Sequence, residues 1–232
     1  MQKLSIVIPV FNEKGTILEV LKKIEGVVLP LDKEIILVDD ASTDGTGEIL
    51  KNLPADKYRI FYHEENKGKG AAVRLGFKEA SGDIIIIQDA DLEYDPAEYG
   101  KLIKPIVDGR ADAVYGSRLI GSEAHRVLYF WHYLGNRCLT FLSNMLSNLN
   151  LSDMETGYKV FSRGALDKIL PRLVSNRFGI EPEITMLSGR NKFRIYEVGI
   201  TYSGRTYEEG KKIGWRDGIA AVYHIIRFGI RR

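Results

Sequence analysis

The run Ile84-Ile85-Ile86-Ile87-Gln88-Asp89-Ala90-Asp91-Leu92-Glu93 decides the fold of this 232-residue chain. Four consecutive β-branched residues read as a strand buried on both faces, the pattern of a parallel sheet covered by helices. The strand ends in an Asp-x-Asp-x-Glu cluster, and open α/β sheets bind ligands beyond the carboxyl ends of their strands. If the extended geometry persists through the acids, its alternation puts Asp89, Asp91 and Glu93 on a common side. Hard carboxylate oxygens grouped this way suit Mg²⁺ or Mn²⁺, which keeps waters and shares its other positions with substrate phosphates. The plainer alternative is a turn of solvated acids, because short motifs are often matched by chance.

The neighbouring segments decide between the two. Leu4-Ser5-Ile6-Val7-Ile8-Pro9-Val10 reads as a second strand, stopped by Pro9 and followed by Phe11-Asn12-Glu13. A helical segment over residues 16–25 leads to a third strand, Glu34-Ile35-Ile36-Leu37-Val38, which delivers Asp39-Asp40 and then Ala41-Ser42-Thr43-Asp44-Gly45-Thr46. Asn66-Lys67-Gly68-Lys69-Gly70 forms a turn that opens another helix, whose amides can face an anion. Right-handed crossovers bring the three acid-bearing strand ends to one edge of a parallel sheet, and together they describe a site. Ser42 and Asp44 also fit ordinary turn and capping chemistry. No Gly-x-x-x-x-Gly-Lys-Ser/Thr loop is present and no Gly-x-Gly-x-x-Gly opens the first helix, so ATPase and dehydrogenase readings fall away.

In order, Val7-Ile8-Pro9-Val10-Phe11-Asn12-Glu13, Val38-Asp39-Asp40-Ala41-Ser42-Thr43-Asp44-Gly45-Thr46, Asn66-Lys67-Gly68-Lys69-Gly70 and Asp89-Ala90-Asp91 resemble the nucleotide-sugar motifs of family 2 inverting glycosyltransferases. Within that family the chain is most like the polyprenyl-phosphate sugar transferases, the dolichyl-phosphate mannose and glucose synthases. The resemblance implies a single α/β domain of the GT-A kind, with a mostly parallel central sheet and amphipathic C-terminal helices. It divides the domain into a nucleotide-binding half over about 1–118, an acceptor half over about 119–214 and a terminal amphipathic helix over 215–232. It implies a donor pocket lined by Pro9, Val10, Asn12 and Glu13, with Asp39 on the nucleotide and Asp40 either supporting that contact or turned away. Lys69 and the Asp89-Ala90-Asp91 segment complete the donor side. Asp91 is the implied central metal ligand, with Asp89 and Glu93 as partners; many relatives carry Gln at the position of Glu93.

Length and composition agree with one domain. A chain of this size can bury one α/β core. Lys and Arg number 33 against 31 acids, and a net charge of +2 predicts no bulk affinity for nucleic acid. The single cysteine, Cys138, excludes an internal disulfide and reads as a buried hydrophobe in an apolar stretch. The amino terminus lacks a signal-peptide layout and no run of about 18 apolar residues occurs, so the expectation is a cytoplasmic protein, peripheral on the cytoplasmic membrane face.

Asp112-Ala113-Val114-Tyr115-Gly116-Ser117-Arg118 reads as a further strand. The resemblance puts Arg118 at the phosphate of a lipid acceptor, with Arg126 as a second candidate, and guanidinium geometry suits phosphate. Residues 127–151 mix Tyr129, Phe130, Trp131, Tyr133, Phe141 and Met145 with polar positions, which fits a membrane interface or prenyl groove, or equally a core helix on the sheet. They depart from the basic residue and serine of the mannose synthases; His132 reads as structural.

Asp153-Met154-Glu155-Thr156-Gly157-Tyr158-Lys159 resembles the stretch placed under the sugar. Glu181 and Glu183 follow where other members carry a catalytic base, although an ionised phosphate acceptor needs none; Glu181 can orient sugar hydroxyls instead, and Glu183 fits a helix first turn. Arg205 and Lys212 (or Lys211) resemble the loop that neutralises the donor diphosphate. Ile219, Val222, Tyr223, Ile226 and Ile230 recur at helical spacing beside Arg227, Arg231 and Arg232, the pattern of a helix on an anionic membrane, on the domain or on another subunit.

The expected reaction is in-line transfer of a hexose from GDP-mannose or UDP-glucose to a polyprenyl phosphate, with Mg²⁺ or Mn²⁺. A homo-oligomer or an integral membrane partner fits the terminal helix. The alternatives are a same-fold transferase acting on a saccharide or protein hydroxyl, and a catalytically silent nucleotide-sugar-binding subunit of a membrane complex.

Overall fold

The computed structural model describes residues 2–121, 126–127, 129–206, 208 and 215–230. Strands β1 (Lys3–Val10), β2 (Asp32–Asp39), β3 (Tyr58–Tyr62), β4 (Ile84–Ile87), β5 (Ala113–Ser117), β6 (Lys159–Ser162) and β7 (Ile195–Gly199) form one sheet in the order β3-β2-β1-β4-β6-β5-β7. β6 runs antiparallel to β4 and β5, and the other pairings are parallel. The helices are α1 (Ile17–Gly26), α2 (Thr46–Lys51), α3 (Lys69–Glu79), α4 (Tyr99–Val107), α5 (Phe130–Ser147), α6 (Arg163–Ile169), α7 (Ile180–Arg190) and α8 (Trp215–Ile230). Because β6 inserts between β4 and β5, the second half of the chain completes the sheet that the first half begins.

The isoleucine run behaves as a strand buried twice. Ile84 and Ile86 join the cluster under α1 and α4, with Ile17, Ile24, Leu102 and Ile106. Ile85 and Ile87 join the cluster under α3, α6 and α7, with Val73, Phe77, Leu166 and Ile184. Full burial of a side chain this size stabilises by about 1.5–3 kcal/mol, so residues that would alternate in a half-exposed strand are all apolar here.

Three expectations change. β1 continues through Pro9 to Val10 rather than stopping. Val7 O accepts from Gln88 N on the β4 side and Val10 O accepts from Asp40 N on the β2 side, so Pro9 also faces the β4 side. The pairing with β4 ends at Val7 and Ile87, and no ladder bond is lost by the missing N–H. Cys138 is exposed, because α5 packs on α7 and α8 rather than on the sheet. The core-helix alternative for α5 fails for the same reason: only Thr140 and Ser143 of that helix are buried, while Phe130, Trp131, Phe141 and Met145 are exposed. β3, a partly exposed edge strand, has no counterpart in the sequence reading.

Gly76 shows how closely α3 lies on β1. A Cβ at this helical position would overlap Cγ1 of Val7, a stiff β-branched neighbour. Helix propensity alone favours Ala over Gly by about 1 kcal/mol, but overpacking costs about 1–3 kcal/mol. Gly76→Ala is therefore expected to lower the urea midpoint, and Val7→Ala in the same chain to recover part of the loss. A raised midpoint in Gly76→Ala would show that α3 and β1 have room to separate.

Candidate active site

Three strand exits meet at one edge of the sheet, and each carries a non-glycine residue at positive φ: Asn12 after β1 (53°), Ala41 after β2 (59°) and Leu92 after β4 (65°). Such conformations cost about 1–3 kcal/mol each and persist only where surrounding bonds fix them. The bonds are present. Asn12 donates its amide to Ser42 Oγ (2.9 Å) and its side-chain oxygen accepts from Thr43 N (2.7 Å). Thr16 Oγ1 donates to Glu13 Oε2 and to Ala90 O, both at 2.7 Å, joining the first exit to the third.

The two aspartates after β2 do different work. Asp39, buried at the end of β2, accepts at Oδ1 from the Ser42 hydroxyl (2.5 Å) and lies against Gly47 of α2. Asp40 turns away: its carboxylate accepts from Asn66 Nδ2, Lys67 N and Gly68 N at 2.7–2.9 Å, and His63 Nδ1 lies 2.6 Å away. The glycine-rich turn thus spends two amides on Asp40, and Ala71 N donates to Asn176 O (2.9 Å). Ser42 and Asp44 follow the turn chemistry, Asp44 accepting from Thr46 N and Lys14 N.

A chain of alternating charges runs through the site. Lys159, fully buried, donates to Glu181 Oε2 and to Thr156 O (2.5 Å), with its ammonium 5.1 Å from the Tyr115 ring centre. Glu181 Oε1 lies 3.3 Å from Lys69 Nζ, which lies 2.8 Å from Asp89 Oδ1. Burial works against the charge on Lys69, but Asp89 and Glu181 outweigh it and hold the ammonium well above its ordinary range. On the other side Arg205 Nη2 lies 3.0 Å from Asp91 Oδ2 and 3.4 Å from Glu13 Oε1. Burial, then the charges of Asp89 and Glu93, push the Asp91 carboxyl up to about 7. Beneath the acids, Gln88 Oε1 accepts from Tyr99 and Tyr158, both at 2.7 Å, and Gly157 packs directly on Asp89 and Tyr94, where a Cβ would overlap the Asp89 carboxylate.

Asp89, Asp91 and Glu93 do not converge on one point, and among the described residues no group of three such ligands does. The extended alternation ends with β4 at Ile87, and left-handed Leu92 sends Glu93 elsewhere. Glu93 Oε2 accepts from Tyr202 Oη and Oε1 from Arg205 N, both at 2.8 Å. The donor chemistry of Asp91 and Asp89 does fit a divalent cation: both offer hard carboxylate oxygens, and burial, then the charge of Asp89, makes Asp91 hard to ionise.

Arg118 is also committed. Its Nε and Nη2 form a bidentate pair with buried Asp153 (2.7 and 2.8 Å), Asn136 of α5 donates to the same carboxylate (2.9 Å), and the guanidinium lies 5.1 Å from the Tyr202 ring centre. Burial opposes both charges, yet the pairing holds Asp153 below and Arg118 above their usual ranges. Arg126 donates to Tyr202 O and Gly204 O, so it steadies the Arg205 segment. Glu183 accepts from Val174 N (3.0 Å) and Ser175 N (2.8 Å), the structural role open to it in the sequence. Pro9 and Val10 sit at the end of β1. Lys211 and Lys212 lie outside the described residues.

The stretch 153–159 was marked in the sequence by its resemblance to the segment placed under the sugar, but the individual partners of Asp153 and Lys159 were not. The pairing of β6 with β4 and β5 brings these residues to the site.

The chain matches the model of glycosyl transferase family 2 over residues 5–170. It is 28% identical to the UDP-N-acetylglucosamine–dolichyl-phosphate N-acetylglucosaminyltransferase of Methanococcus voltae over 95% of this chain and 94% of that protein. It is 39% identical to a dolichol-phosphate mannosyltransferase of Pyrococcus furiosus over 91% of this chain, which spans 60% of that longer protein. Its fold matches glucosyl-3-phosphoglycerate synthase of Mycobacterium tuberculosis, solved with Mn²⁺, UDP and phosphoglyceric acid, with a TM-score of 0.75 at 20% identity, covering 100% of this chain and 80% of that one.

Glu155 provides a test of site electrostatics. One of its oxygens is buried without a hydrogen-bond partner, and burial followed by the charge of Glu181 pushes its carboxyl up to about 7, from 4.5. The unfolded chain ionises first as pH rises, so the native state loses stability from about pH 4.5 and carries the full penalty above pH 7, about 3 kcal/mol. Glu155→Gln is expected to match the parent in denaturant near pH 4.5 and exceed it by about 2–3 kcal/mol at pH 8. Equal stabilities at both pH values would show that the Glu155 carboxyl is solvated.

Proposed function

This chain belongs to glycosyl transferase family 2, and from that premise we propose that it transfers a hexose, with inversion, from a nucleotide sugar to a polyprenyl phosphate at a membrane surface. The observation that carries the acceptor is the exposed apolar face beside the strand ends. α5 presents Phe130, Trp131, Phe141 and Met145, and α8 presents Ile219, Tyr223 and Ile230, all exposed. No acid occurs in α5, and Asn136 of that helix is bonded to Asp153 at the site. Aromatic and aliphatic side chains without carboxylates suit a lipid interface. Among the described residues no helix is long and apolar enough to cross a membrane, so contact would be peripheral. The two dolichyl- and dolichol-phosphate relatives support the same reading.

In this reading Asp39 and the first strand exit receive the nucleoside, and Arg205 receives the diphosphate. Asp91 and Asp89 would hold the Mg²⁺ or Mn²⁺, which supplies positive charge to the leaving diphosphate. An oxygen of the acceptor phosphate forms the new bond to the anomeric carbon from the face opposite the diphosphate. The bonding pair of the old linkage departs with the diphosphate oxygen. The acceptor is already ionised at neutral pH and gives up no proton. Glu181, turned toward two lysines, positions Lys69 rather than drawing a proton from an incoming hydroxyl. A saccharide or protein hydroxyl acceptor would need a general base, and Glu183 is spent on two backbone amides.

The test is transfer of labelled sugar from GDP-mannose, UDP-glucose or UDP-N-acetylglucosamine, with Mn²⁺ or Mg²⁺, to a short polyprenyl phosphate. A butanol-extractable product that requires the metal and disappears in Asp91→Ala is expected. Glu181→Gln should keep that activity within about tenfold, whereas loss of a general base costs roughly 10²–10⁴. Donor hydrolysis without a lipid product would move the acceptor to a hydroxyl, and inertness toward every donor would favour a silent binding subunit.

A further inference from the structure

We propose that Glu155 is a specificity-determining residue for the donor, its uncommitted carboxyl taking a hydroxyl or amide N–H of the hexose that is transferred. This rests on the donor reading given above.

The backbone around Glu155 is fixed and its side chain is not. Asp153 is held by the bidentate pair with Arg118. Met154 N donates to Thr140 Oγ1 at 3.1 Å, the Thr156 hydroxyl donates to Gly116 O, and Gly157 N donates to Tyr94 Oη at 2.8 Å. Met154 and Thr156 are fully buried. Glu155, set between them, keeps part of its surface, while its Oε1 is buried with no hydrogen-bond partner among the described residues. A buried acceptor without a donor is costly, and native proteins keep few of them. A second such oxygen belongs to Asn136, which donates its Nδ2 to Asp153, two residues before Glu155, and leaves its buried Oδ1 unpaired. Both orphans are acceptors, so a ligand that satisfies them has to bring donors.

Charge narrows the ligand further. The cations that bear on Glu155 are Lys159 and Arg118, and both are committed, Lys159 to Glu181 and Arg118 to Asp153. A phosphate placed here would meet the carboxyl groups of Glu155, Glu181 and Asp153. A neutral group carrying O–H or N–H donors avoids that repulsion, and burial with the charge of Glu181 keeps the Glu155 carboxyl poised at about 7. Under the proposed reaction the hexose is the neutral part that lies between two phosphates. The segment also adjoins the groups assigned to the donor. Gly157 packs on Asp89, and Glu181, the partner of Lys159, lies 3.3 Å from Lys69 Nζ. The stability cost already derived for Glu155 has the same sense, since side chains that serve a ligand are often retained at the expense of the fold.

Isothermal titration with Mn²⁺ present compares UDP-glucose, GDP-mannose and UDP-N-acetylglucosamine with UDP and GDP, in the parent, Glu155→Met and Glu155→Gln. Methionine keeps the volume and removes both oxygens; glutamine keeps one. For the nucleotide sugar that binds the parent, Glu155→Met should weaken affinity by about five- to tenfold, the worth of one hydrogen bond. The matching nucleoside diphosphate should stay within about twofold, and Glu155→Gln within about threefold for both ligands. A role confined to holding the fold would move the two ligands together. Monodeoxy forms of the same nucleotide sugar complete the cycle: one of them should bind the parent about five- to tenfold more weakly and lose nothing further in Glu155→Met. Equal nucleotide-sugar affinity in the parent and Glu155→Met overturns the assignment. An equal loss for the nucleoside diphosphate, or additive losses for every deoxy form, overturns it as well. A parent that binds none of the donors defeats the donor reading, and Glu155 with it. Binding that responds as expected without a lipid product leaves Glu155 in place and defeats the acceptor reading alone. Glu155→Ala, which also removes both oxygens, carries the comparison if Glu155→Met does not fold.

Discussion

Carboxylates crowded in a poorly solvated cleft need cations, and the whole site is arranged around that need. Burial, and then the charges of Asp89 and Glu93, disfavour the ionised form of Asp91. The compensating charges come from three elements: Lys69 at the start of α3 pairs with Asp89, Lys159 on β6 with Glu181, and Arg205 beyond β7 with Asp91. Asp89 is thus paired from the helix just before β4, while Asp91 draws its partner from beyond the second half of the sheet. The nucleotide-binding and acceptor portions are therefore one electrostatic unit, and their shared sheet is its mechanical counterpart.

The same dependence appears in the backbone. Asn12, Ala41 and Leu92 are held at positive φ on three loops that touch one another, and the bonds that fix one loop come from the next. Asp40 extends the arrangement by gathering His63, Asn66, Lys67 and Gly68 at the base of α3. This fixes the start of the helix that carries Lys69. An aspartate turned away from the cleft thereby determines where a cation within the cleft stands.

The sheet was legible in the sequence wherever burial on both faces forced uniform apolar runs, as in Ile84–Ile87 and residues 35–38. β3 was not, because an edge strand tolerates Arg59 and partial exposure and so writes no clean pattern. The donor edge of the site followed from the strand ends, since topology alone collects them. Its charge balance did not. The pairing of Arg118 with Asp153 and the turn of Glu93 after left-handed Leu92 are seen only in the structure. Both have one origin: side-chain periodicity is a property of regular backbone, and functional residues stand just after it ends. Cys138 was misread for a different reason, and the aromatic positions of α5 stayed open between two readings, since an apolar stripe has the same spacing whether it faces a sheet or open surroundings.

The charge inventory bears on how a donor would be accepted. Among the described residues, the five carboxylates of Glu13, Asp89, Asp91, Glu93 and Glu181 share the ion pairs of three cations, Lys69, Lys159 and Arg205, and by that pairing this part of the site carries more negative than positive charge. Arg118 cannot make up the difference, because Asp153 neutralises it at bidentate distance. A nucleotide diphosphate entering under the proposed reaction would add further negative charge to this deficit. Arg205, shared among three carboxylates, has no surplus with which to meet it alone. A divalent ion arriving with the diphosphate would correct both problems, giving Asp91 a reason to ionise and freeing Arg205 to turn from the carboxylates toward the phosphates. In this scheme Asp91 and Asp89 would hold the ion, whose charge would make the acidic loop and the anionic donor mutually tolerable.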